Sequence, residues 1–195
     1  MADNSDRQWC YARGEKVYFR YLTAEDAIGD WHRWFNCPKI TSNLADQVWP
    51  NSVDNQLQHL AIINQRVDRL AVAICDVSTD MLIGIGGLSG MNQLHRRAEI
   101  SIVIGSEEHR NGVITLEGLA LLTEIGFSKF NLNKIIATSL ASSDGGAGIT
   151  KLLGYKAVGC FKNHVWVNGK WEDVIFMEVM QKDWLTSNKR PNLLR

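Results

Sequence analysis

The alternation of apolar and polar positions is clearest in the middle of the chain. Over residues 69–77, Leu70, Val72 and Ile74 fall on every second position, the period of a half-buried strand. Residues 82–88 form a short, glycine-rich apolar run, and residues 97–104 are rich in β-branched side chains and stop at Gly105. Turn-forming residues separate these runs, Ser78-Thr79-Asp80 and residues 90–94, so the three predict an antiparallel meander. Upstream, residues 17–22 predict a first strand. Thr23 followed three places later by Asp26 is a helix-start signature. Residues 27–35 then predict a short helix with Trp31 and Trp34 on one side, and Ser52 opens a second helix that runs to about Arg66.

After Gly105 the period changes. Leu116, Leu119, Ala120, Leu122, Thr123, Ile125, Gly126 and Phe127 make a broad helical stripe that ends near residues 130–133. Residues 134–140 predict the next strand, and a strand–helix–strand unit implies parallel pairing. A weak helix over residues 146–153 stops at Gly154. Strands at 157–167 and 170–180 flank Asn168-Gly169, a strong hairpin turn. The predicted class is α/β, a mixed sheet in the order β-α-α-β-β-β-α-β-α-β-β. Residues 188–195 predict a polar tail.

Composition narrows the partners. The 195 residues suit one domain, 1–195, with its core at about 17–184. Lysine plus arginine balances aspartate plus glutamate at 21 each, so nothing global calls for nucleic acid or an anionic membrane. No run reaches the roughly 20 apolar residues of a membrane span. The polar, acidic start lacks the features of a signal peptide. Cys10, Cys37, Cys75 and Cys160 are far apart with no CxxC pair, which argues against a metal site and for reduced thiols in the cytoplasm.

The element order resembles the GNAT acyltransferase superfamily, and most of all its branch of ribosomal-protein N-terminal alanine acetyltransferases and sugar and antibiotic acetyltransferases. The stretches that carry the resemblance are Tyr21-Leu22-Thr23-Ala24-Glu25-Asp26, Trp34-Phe35-Asn36-Cys37-Pro38, Ala98-Glu99-Ile100 with Val103-Ile104-Gly105, and Phe127 through Ile135. Leu153-Gly154-Tyr155, Asn168-Gly169-Lys170 and Asp173 are similar to the family's C-terminal pattern. The resemblance implies acetyl-CoA as cosubstrate, with the acetyl group against the backbone of Ile102, Val103 and Ile104. It implies a pyrophosphate loop at His109, Arg110, Asn111, Gly112, Val113, Ile114 and Thr115, where backbone N–H groups and a helix N-terminus face the phosphates. It also implies an acceptor wall at Trp34 and Asn36.

Two places depart from the family pattern. Val113 and Thr115 stand where small residues are expected, and a β-branched valine disfavours positive φ. Ser143 stands for an asparagine, and Gly146 for the hydroxyl residue three places on; three glycines weaken this helix. No dedicated general acid stands out; Ser142, Ser143 and Tyr155 are the stand-ins.

Amine acetylation needs a group to take the amine proton. The resemblance puts Glu99 in that role. Partial burial in its apolar strand would raise its pKa toward the working range, and pairing with Arg96 or Arg97 is the structural alternative. His164, on a late strand that in this fold passes near the acceptor, is a second catalytic or acceptor-contacting candidate. Trp31, Trp34, Trp49, Trp166 and Trp171 are either core or acceptor wall. The resulting expectation is an acetyl-CoA-dependent N-acetyltransferase acting on a small amine such as an amino sugar, or on a protein N-terminus. The alternative is a GNAT-like module that binds a ligand or partner without acetyl transfer. An exposed final hairpin or strand edge offers a surface for a homodimer.

Overall fold

The structure, a computed structural model, describes residues 10–42, 44 and 49–191. Its strands are β1 (Ala12–Arg13), β2 (Val17–Arg20), β3 (Leu70–Asp76), β4 (Leu82–Asn92), β5 (Arg97–Ile104), β6 (Lys134–Leu140), β7 (Lys156–Val167) and β8 (Lys170–Met180). They form one eight-stranded sheet in the order β1-β2-β3-β4-β5-β6-β8-β7. Neighbours are antiparallel except β5 and β6, which are parallel. The mixed α/β class, the meander and the parallel crossover are as the sequence predicts.

Helices cover both faces. On one lie α1 (Ala24–Asp26), α2 (His32–Trp34), α3 (Pro38–Thr41) and α4 (Val53–Gln65). Thr23 and Asp26 make the predicted capping box, and Arg20 grips Asp26 with two bonds of 2.7 and 2.8 Å. The single helix expected over 27–35 is not continuous. Ala27–Trp31 forms a wider π-type turn, because Gly29 leaves helical geometry at ψ −128°. Trp31 and Trp34 nevertheless both turn inward, into a cluster with Leu60, Ile63 and Ala73. Ser52 caps α4 through the amide of Asn55.

The other face belongs to α5 (Gly112–Ser128), α6 (Asp144–Leu152) and α7 (Gln181–Leu185). Helix α5 is buried without a break from Gly118 to Phe127, so it fills the core rather than lying on it. Three features escaped the sequence reading. A short hairpin of β1 and β2 docks on α5, where the Glu15 and Lys16 amides donate to Glu117. Helix α6 begins at Asp144 and keeps its glycines helical. Residues 188–191 of the expected tail are not loose: Arg190 binds Glu124. Residues 1–9 and 192–195, including parts of both predicted polar ends, lie outside the described residues.

Glu124 is the buried electrostatic anchor of this face. Its carboxylate accepts from Trp184 Nε1 at 2.7 Å and from Arg190 Nε and Nη2 at 3.0 and 2.8 Å. Burial alone would raise its pKa; the Arg190 and Trp184 bonds outweigh that and hold it below the ordinary carboxylate value. A depressed folded-state pKa contributes stability above the unfolded value, lost as pH falls through the folded one. Glu124→Gln is therefore expected to cost about 2 kcal/mol at pH 7. The gap to the parent chain should shrink at pH 3, as urea midpoints at the two pH values will show.

Candidate active site

The parallel pair β5–β6 is joined at only three positions, Arg97 with Lys134, Ala98 with Ile135 and Glu99 with Ile136. Beyond Glu99 the strands part. Gly105 donates to the Ile83 carbonyl at 2.9 Å while Ile104 stands opposite Gly84, which fixes the phase of the β4 ladder. The backbone groups of Glu99, Ser101 and Val103 therefore face β4. Those of Ile102 and Ile104 face the gap that β6 has left. Arg110 fills part of it, donating to the carbonyls of Ile104 (3.3 Å) and Gly105 (3.1 Å). At the apex, Thr138 Oγ1 donates to Glu99 Oε1 at 2.6 Å, a side-chain bond spanning the point where the ladder stops.

Helix α5 starts beside the end of β5. Asn111 caps it, its Oδ1 accepting from the amides of Val113 (3.1 Å) and Ile114 (3.0 Å). No acidic residue lies in the first turn. Val113 sits inside the helix and its side chain points to solvent. On the α4 face, a pocket of about 140 Å³ is lined by Trp31, His59, Arg69, Ser89, Ser101 and Val103 among others. Its floor is the β3–β4–β5 meander. Trp34 closes the neighbouring end of β5: a Cβ on Gly105 would fall 1.9 Å from its ring, so only glycine fits there.

A family profile described as "Acetyltransferase (GNAT) domain" matches residues 16–156 of this chain. The chain belongs to the GNAT acetyltransferase family. Among curated proteins it is 28% identical over 129 residues to the Spermidine N(1)-acetyltransferase of Escherichia coli (strain K12), covering 66% of this chain and 67% of that protein. It is 24% identical over 103 residues to the "Putative ribosomal N-acetyltransferase YdaF" of Bacillus subtilis (strain 168), covering 53% and 56%. The crystal structure of spermidine N-acetyltransferase from Vibrio cholerae in complex with CoA and spermine superposes with a TM-score of 0.81 at 22% identity, over 87% of this chain and 98% of that one. This GNAT chain is thus an acetyl-CoA-dependent N-acetyltransferase, which corrects the alternative of a module without acetyl transfer.

The GNAT site differs from expectation at several residues. Glu99, at the last position where β5 pairs with β6, is exposed rather than partly buried, and its partner is Thr138 rather than Arg96 or Arg97. Tyr155, expected as a stand-in acid, is a core residue, 3% exposed, with its hydroxyl 2.8 Å from Thr123 Oγ1 on the α5 face; burial pushes its phenol pKa up. His164 sits on β7, three strand spacings or about 14 Å of backbone from β5. A bulge held by Asp173 turns it onto Phe161 and Phe176, with ring centres 5.0 and 6.1 Å away, so it stands apart from Glu99.

The expected acceptor wall also changes. Asn36 spends both ends of its amide on the backbone of Asn51, each at 2.7 Å, and so staples two loops. Trp34 packs under Gly105. Val103 directs its backbone to Ile85 of β4, away from the gap. His109 is turned onto Ser106 (2.8 Å) and Asp76 (3.8 Å), not onto the helix start. Ser143 precedes α6, its amide on the Leu140 carbonyl and its hydroxyl making no cap. Sequence reasoning missed His59, Arg69 and Ser101. Ser101 could have been found as the polar residue that interrupts the apolar run of β5.

The residues at the start of α5 fit the coenzyme. A helix N-terminus without carboxylates attracts a pyrophosphate, and Val113 causes no strain, since neither it nor Thr115 adopts positive φ. Ile114 is buried in the core, and Thr115 Oγ1 donates to the Asn111 carbonyl at 3.0 Å. An anion that took the Val113 and Ile114 amides would have to displace the Asn111 side chain. Asn111→Ala is therefore expected to lower stability by about 1 kcal/mol while coenzyme A binds as tightly or more tightly. Calorimetry reads both; binding weakened more than about threefold would mean that Asn111 itself holds the phosphate.

Proposed function

We propose that this enzyme acetylates a primary amine of a small molecule by direct attack on acetyl-CoA, with Glu99 taking the amine proton. The observation that carries the reading is the parting of β5 and β6 at Glu99, with the Thr138 bond at its apex. The Ile102 N–H faces the gap there, suitably turned to donate to an oxyanion. Glu99 lies on the same sheet face as Ser101 and Val103 of the pocket, so an amine held in the pocket approaches from the carboxylate's side. Thr138 orients the carboxylate. Because Glu99 is exposed, its proton transfer runs directly or through one water and does not rely on burial.

A small acceptor is favoured over a protein N-terminus by the size of the pocket and by relatives named for acetylating spermidine. The ribosomal-protein branch keeps the support of one relative. Four unbridged cysteines suit the reducing cytoplasm, and no helix among the described residues is long and apolar enough to cross a membrane. Strand β7 is an outer edge with Val158, Phe161 and Trp166 exposed, the surface on which a second copy would pair. Light scattering should then give about twice the chain mass of 22.0 kDa.

Glu99→Gln is expected to lower kcat by about 100-fold or more while leaving coenzyme A affinity and the melting temperature unchanged, since an exposed side chain contributes little to folding. Thr138→Val should lower kcat less and leave KM for acetyl-CoA alone. A Glu99→Gln enzyme with parent-like turnover would remove the proposed base.

A further inference from the structure

The pocket on the α4 face is rich in donors and carries no carboxylate among its lining residues. Trp31 is 1% exposed, and its Nε1–H is buried with no acceptor. The Nε–H of Arg69 is also buried without a partner. Both residues line the pocket, and beside them stand His59 and the hydroxyls of Ser89 and Ser101. Burial disfavours the charged form of His59, and the nearby Arg69 charge lowers its pKa further. Of the carboxylates nearby, Asp68 pairs with Arg66, Asp30 with Arg33, and Glu99, opposite Ser89 on β5, accepts from Thr138. One turn before His59 on α4, Gln56 has its Oε1 bonded to Asn51 and its Nε2 buried without an acceptor.

An unpartnered buried donor costs free energy, and a buried cation costs more. Among the described residues every buried unsatisfied side-chain group is a donor, so what completes the site brings lone pairs, and beside the half-buried Arg69 guanidinium negative charge is favoured. Snorkelling of Arg69 to water would explain a free guanidinium but not a buried Nε–H. Building on the acetyl-transfer reading above, we propose that the acceptor amine bears an oxyanion, a carboxylate or phosphate, that Arg69 binds with the Trp31 N–H beside it. The chain would then differ from its spermidine-acetylating relatives in acceptor class. A polyamine would present a second cation to Arg69.

The test compares acceptors that share a reacting amine. One set is 4-aminobutyrate, butylamine and putrescine; the other is glucosamine 6-phosphate and glucosamine. Binding is measured by calorimetry with coenzyme A present, and turnover by thiol release. At least one member with the oxyanion is expected to bind about tenfold or more tightly than its counterparts that lack it. Arg69→Gln should bring that preference to threefold or less, through weaker binding of the oxyanion-bearing probes; Arg69→Lys should restore part of it. Putrescine binding as well as or better than every anionic probe would overturn the proposal. So would an Arg69→Gln enzyme that loses affinity for all probes alike. Preferential binding of an anionic probe without thiol release from any amine would break the acetyl-transfer reading and leave the Arg69 assignment standing. The carboxylate and phosphate sets separate the two sources of the oxyanion.

Discussion

The interaction on which the site depends is a ladder that stops. Strands β5 and β6 share three paired positions and then separate, although each continues for several residues. Each is committed on its other side. Strand β5 is paired with β4 along its length, and β6 runs its full length against β8, from Lys134 with Met180 to Leu140 with Val174. The sheet is thus two stitched halves meeting at a short seam. A backbone donor turned away from any ladder needs another partner, and the gap is where this chain leaves such donors for a ligand. The cost of the broken ladder is offset beneath it by α5, where Leu121, Leu122 and Ile125 are fully buried.

The same seam explains the layout of the two substrates. In the proposed reading the coenzyme end is set by backbone: the Ile102 and Ile104 edge, and the first turn of α5. The proposed acceptor end is lined by side chains on the α4 face, where α4 and the Ala27–Trp31 turn roof the meander as far as Ser101 and Val103. Glu99 lies just beyond that roof. It is exposed, and Thr138 bonds its carboxylate across the end of the seam. Orientation by Thr138 takes the place of burial.

Much of this frame was legible in the sequence. Strands β5 and β6 run over the predicted residues, since β-branched runs bounded by glycine and asparagine leave little choice, and Asn168-Gly169 makes its turn with both residues at positive φ. Local signals failed where tertiary contacts decide. Helix α6 forms despite its glycines because Ala147 and Ile149 pack into the α5 core. Arg190 reads as tail until Glu124, 66 residues earlier, is folded beneath it. Asn111 caps α5, and asparagine before a helix is a strong local signal that the sequence itself carries. At the site, Glu99 stood out as a candidate in its strand, while the parting of β5 and β6 did not, and Trp31, His59 and Arg69 come from three separate elements and carry no common motif.

The two charges on the acceptor face also bear on catalysis. With Arg69 at the start of β3 and Glu99 on β5, a molecule with an amine at one end and an oxyanion at the other meets opposite charges at both ends. Attraction at the oxyanion end, far from the bond being made, fixes the amine's direction without stabilising its protonated form. That is binding energy used for orientation, which lowers the barrier by removing rotational freedom before reaction. A simple amine bound only through its own charge would gain its affinity from the ammonium ion, the form that must be given up before attack. Placing the stronger electrostatic grip on the non-reacting end avoids that penalty, and it gives a physical reason for a GNAT acceptor pocket to hold an unpaired arginine.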